Sequence, residues 1–99
     1  MNTKQIHLEV LHEGKHWVPC EYMARVVESV ATEYNDVLHC ETIITRNMEG
    51  AMRYGELSKN LGRPAPVPSI FIDGELVFEV TPGREELKNC LDNYLDKLG

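Results

Sequence analysis

A cysteine thiolate is both a nucleophile and a metal ligand, so the thiols are the residues of this sequence best equipped for chemistry. There are three, Cys20, Cys40 and Cys90. Their odd number and wide spacing give neither a disulfide framework nor the repeated C-x-x-C pattern of a zinc site. Cys20 has the most suggestive neighbours. It closes the run Trp17-Val18-Pro19-Cys20, which carries the only tryptophan, and His16 lies just upstream. A thiol near a helix N-terminus is favoured as thiolate by the helix dipole and the free N–H groups. A single thiol placed there can form a mixed disulfide or a sulfenic acid. If buried, it is only a small packing residue. His12 and His39 do not stand at a ligand spacing from His16, so no metal site and no cofactor is expected.

The elements that hold these residues follow from the hydrophobic periods. From Gln5 to Leu11 the chain alternates, with Ile6, Leu8 and Val10 on one face and His7 and Glu9 on the other, which predicts a strand. Glu13-Gly14-Lys15-His16 is a polar turn. From Pro19 the period becomes helical, with Met23, Val26, Val27, Val30, Ala31 and Tyr34 forming one stripe that Asn35-Asp36 ends. Val37 to Thr45 reads as a second strand, and Met48 to Leu61 as a second helix capped by Gly62, although Gly50 and Gly55 weaken it. Arg63-Pro64-Ala65-Pro66-Val67-Pro68 must be extended. Ser69 to Ile72, the Asp73-Gly74 turn and Leu76 to Val80 form a hairpin. Thr81 is expected to cap a last helix with Pro82 at its first position, whose buried stripe is Leu87, Leu91, Tyr94, Leu95 and Leu98. Cys40 and Cys90 are expected in the core. The acidic residues of the last helix, Glu85, Glu86, Asp92 and Asp96, belong to its solvated faces.

This order predicts one α/β domain over residues 1–99. A right-handed strand–helix–strand crossover and a hairpin build a four-stranded mixed sheet, with three helices on its two faces. His7 and Glu9 fit such a sheet imperfectly, because a strand covered on both faces is normally apolar on both. Either one layer is thin there or these side chains lie near the strand ends. The formal net charge of −6 and pI near 5.1 argue against binding nucleic acid through phosphate contacts, which needs a basic stripe, and disfavour anionic lipid. No apolar run approaches a membrane span, and Met1-Asn2-Thr3-Lys4-Gln5 lacks the pattern of a secretory signal, which makes the cytoplasm the expected location.

Three segments in this order resemble the thioredoxin and glutaredoxin superfamily, in its short βαβαββα form. His16-Trp17-Val18-Pro19-Cys20-Glu21 falls between the first strand and first helix, where that family keeps C-x-x-C. Val67-Pro68-Ser69-Ile70-Phe71-Ile72-Asp73-Gly74 is similar to its cis-proline, strand and hairpin. Thr81-Pro82-Gly83-Arg84-Glu85-Glu86-Leu87 is similar to the start of its last helix. The motif is degenerate. Either Trp17 occupies the place of the first cysteine, or the loop is shorter and Trp17 stands for the tryptophan that often precedes the motif. Both registers lack the attacking thiol. The buried acid of thioredoxins, six residues before the first cysteine, falls at Leu11 when counted back from Trp17.

A dithiol couple needs two sulfurs within reach, so the resemblance implies a thiol-disulfide oxidoreductase fold without dithiol exchange. It implies a cis bond before Pro68, and main-chain groups of Val67 that hold an extended peptide or glutathione without using a cysteine. The leading expectation is a redox-degenerate protein- or peptide-binding module that uses Trp17, Val18, Pro19, Val67 and Pro68. Trp17 either plugs the site by packing on Pro68 or anchors a partner. The alternative is a monothiol oxidoreductase or thiol sensor acting through Cys20. Iron–sulfur binding of the monothiol-glutaredoxin kind is disfavoured, since its ligand would be the absent first cysteine.

Overall fold

A computed structural model of the chain describes residues 5–14, 18–34 and 36–98, and Trp17, His16 and Asn35 lie outside them. The elements are β1 (Ile6–His12), α1 (Val18–Ala31) continued by a 3₁₀ turn at Thr32–Tyr34, β2 (Leu38–Ile44), α2 (Met48–Leu61), β3 (Ser69–Ile72), β4 (Glu75–Phe78) and α3 (Arg84–Leu98). The sheet order is β2-β1-β3-β4. β1 and β2 are parallel, while β3 is antiparallel to both β1 and β4. This is the four-stranded mixed sheet with three helices expected from the sequence.

Each face of the sheet carries its own core. Ile6, Leu8 and Val10 of β1 meet Met23, Val27 and Val30 of α1 and Leu87 and Leu91 of α3, with Ile70 and Ile72 beside them. On the opposite face a smaller cluster joins Leu11, Ile43, Phe71 and Ala65 to Leu57 of α2. The smaller cluster explains the polar residues of β1. One helix covers that face, and its apolar contact is made near Leu11, so the sheet is thin at His7 and Glu9. Glu9 is nevertheless buried at 1% exposure, because Arg53 of α2 reaches over it with two hydrogen bonds of 2.7 Å, from Nε and Nη2 to its two carboxylate oxygens.

Local caps account for the boundaries. Asn47 begins α2 by accepting the Gly50 N–H at 2.6 Å, and Gly62 ends it in the left-handed conformation at φ 85°. Gly50 is required, since a Cβ there would overlap the Ile44 carbonyl. The helix starts hard against the end of β2.

Three expectations need correction. α3 starts at Arg84, with Thr81 and Pro82 outside it, because the Gly83 carbonyl accepts the helical hydrogen bond from the Leu87 N–H at 3.0 Å. β4 stops at Phe78, paired with Ile70; beyond that pair β3 has only Ser69 before a proline-rich connector, and Val80 is 77% exposed. Cys40 is exposed, because β2 is an edge strand and the two core clusters end short of its middle. Cys90 is half-buried against the larger core, as are Tyr94 and Leu95.

Candidate functional site

The C-terminal end of β1 gathers the segments singled out in the sequence. Leu11 pairs with Ser69, the residue after Pro68. Two residues beyond Leu11, the Glu13 N–H donates to the Cys20 Sγ at 3.4 Å. Cys20 and Pro68 therefore flank the same strand end, one from the first turn of α1 and the other from the connector ahead of β3. The Val67–Pro68 bond is cis. The connector is held by side chains of α2. Tyr54 donates to the Ala65 carbonyl at 2.9 Å, and Ser58 accepts the Ala65 N–H at 2.9 Å. Ser69 donates back to the Pro66 carbonyl at 2.6 Å. Val67 and Pro68 are half-buried, Val67 against the smaller core. Among the described residues, the peptide groups of Val67 make no main-chain hydrogen bond.

Cys20 is wholly buried at 0% exposure. Burial pushes its thiol up from the ordinary value, and the hydrogen bond from Glu13 N–H only partly opposes that rise. A nucleophilic cysteine needs the opposite shift and an open approach. No second thiol is beside it. Cys40 lies on the far edge strand and Cys90 on α3, and all three cysteines are free. Val18, next to the position of Trp17, is 70% exposed.

The fold matches that of a solved structure. The oxidised thioredoxin from Plasmodium falciparum superposes with a TM-score of 0.59 over 92% of this chain and 82% of that one, at 13% identity. This chain has the thioredoxin fold. No family model and no curated protein matches its sequence. Within the thioredoxin fold, the chain presents one buried thiol and a cis Val67–Pro68 bond at the same end of the sheet. No helix among the described residues is long and apolar enough to cross a membrane.

The sequence reasoning missed a second polar constellation, on the α2 face at the other end of β1. There His7 stands opposite His39 and Glu9 opposite Glu41 in the parallel register. The alternation of β1 already showed that His7 and Glu9 share a face. Their partners on β2 depend on the register of a crossover, which periodicity does not encode.

Proposed function

We propose that this protein is a thioredoxin-fold module that binds an extended protein segment and carries out no thiol–disulfide exchange. The observation that supports this most is the state of Cys20, which is sealed from solvent and raised in pKa where a redox thiol must be exposed and lowered. The missing first cysteine removes the attacking group, and the buried Cys20 would be a poor substitute. The peptide groups of Val67, which make no main-chain hydrogen bond among the described residues, suit main-chain pairing with an extended ligand, a mode that needs no cysteine. Glutathione, an extended tripeptide, is the smallest ligand of that kind. Val18 supplies exposed apolar surface at the same end.

The test is twofold. Reduction of insulin by dithiothreitol should proceed no faster with this protein than with an unrelated one. Capture experiments with the native chain and with Cys20→Ser should recover the same partners. Robust turnover, or partners lost only in the Ser variant, would instead establish monothiol chemistry through Cys20.

A further inference from the structure

We propose that His7, His39 and Glu41 form a binding site for a divalent transition-metal ion of the zinc class, on the α2 face of the sheet and separate from the Cys20–Pro68 end. The three donor atoms lie within 4.8 Å of one another. His7 Nε2 and Glu41 Oε1 are 3.1 Å apart. Two ligands bound at about 2.0–2.1 Å to a tetrahedral ion stand roughly 3.4 Å apart, so this pair needs only a small adjustment to accept one. The His7 and His39 ring centroids are 5.1 Å apart, with the planes tilted by 42°. A ring nitrogen of each, coordinating in its ring plane, is thus close enough to share one ion.

The backbone fixes the three positions. Parallel pairing sets His39 directly across from His7 and Glu41 two residues further along β2 on the same face. The His7 end of β1 is anchored by a reciprocal pair of bonds. Asp73 N–H donates to the His7 carbonyl at 2.8 Å, and the His7 N–H donates to the Asp73 carboxylate at 3.0 Å. The neighbouring carboxylate of Glu9 is taken up by Arg53, whereas Glu41 has its carboxylate already turned to the His7 imidazole. His7 and Glu41 also line a cleft of about 330 Å³ between β2 and α2, giving space for a water or an incoming ligand at the fourth position. Two imidazoles and one carboxylate suit zinc, nickel or copper far better than magnesium or calcium, which prefer oxygen alone.

Titration of the chain with Zn²⁺, followed by calorimetry, should show one equivalent bound, while Mg²⁺ and Ca²⁺ show none. His7→Gln and His39→Gln should each weaken binding at least tenfold, and Cys20→Ser, Cys40→Ser and His12→Gln should leave it unchanged. The imidazole proton resonances of His7 and His39 in the unaltered protein should shift together on Zn²⁺ addition, a readout independent of how the variants fold. Binding indifferent to the two histidine variants, or a response of other residues without His7 and His39, would overturn the site.

Discussion

Alanine substituted at Gly50 and at Gly55 should change stability in opposite directions, although both residues lie in the same helix. In a helix interior, glycine costs about 0.5–1 kcal/mol relative to alanine. Gly55 has open space where a Cβ would go, so Gly55→Ala should recover that amount. At Gly50 a Cβ would overlap the Ile44 carbonyl and stand 3.0 Å from Asn47 Oδ1. Both obstacles are costly to move, one being backbone and the other the N-cap of α2. Overpacking costs about 1–3 kcal/mol, and a disturbed cap adds roughly 0.5–2 kcal/mol. Set against the propensity gain, the expected net loss for Gly50→Ala is about 0.5–4.5 kcal/mol, with its middle at about 2.5 kcal/mol. For a domain of this size each kcal/mol moves the midpoint by about 4–8 °C. Thermal unfolding followed by circular dichroism should therefore show Gly50→Ala melting lower, by roughly 10–20 °C at the middle of that range, and Gly55→Ala a few degrees higher. A Gly50→Ala variant as stable as the parent would refute the close approach of α2 to the end of β2.

Arg53→Met should destabilise by about 2–4 kcal/mol in urea unfolding, since it strands the buried Glu9 carboxylate, and the double variant with Glu9→Leu should regain most of that loss. The pair is worth less if single and double variants unfold alike. Iodoacetamide at pH 8 should modify Cys40 slowly and Cys20 only after unfolding, as mass spectrometry of the digested protein will read. Cys40 is exposed as a residue, but its thiol is partly desolvated against the strand and pushed up to about 11. The folded chain holds the Cys20 proton to higher pH than the unfolded chain. Its contribution to stability is thus complete below the unfolded thiol value of about 8.5 and is lost as pH rises beyond it. The urea midpoint should fall above that pH, and fall less in Cys20→Ser. Tyr34→Phe should cost about 1 kcal/mol through the lost 2.8 Å hydrogen bond to Asp92, measured by the same unfolding curves.

Much of the architecture was legible in the residues themselves. The alternation of Ile6, Leu8 and Val10, the helical stripe from Met23 to Tyr34, and the Asp73-Gly74 turn are local signals, because each reflects which side chains a strand or helix must turn inward. The extents of α2 and β3 followed from Gly62 and from the proline-rich connector in the same way. Chain ends that depend on a neighbour were not legible. α3 begins at Arg84 and not at Pro82 because the Gly83 carbonyl takes the helical bond from Leu87, and β4 ends where β3 no longer pairs with it. The sequence by itself determined that Cys20 lacks a partner thiol in its motif. Only the tertiary structure decided that this thiol is sealed off, because its burial depends on how α1 seats against the end of β1. The same holds for His7, His39 and Glu41. Their meeting is set by a parallel register formed across the whole α1 crossover, and the physics of that register lies in the packing of a sheet between helices, not in any local run of residues.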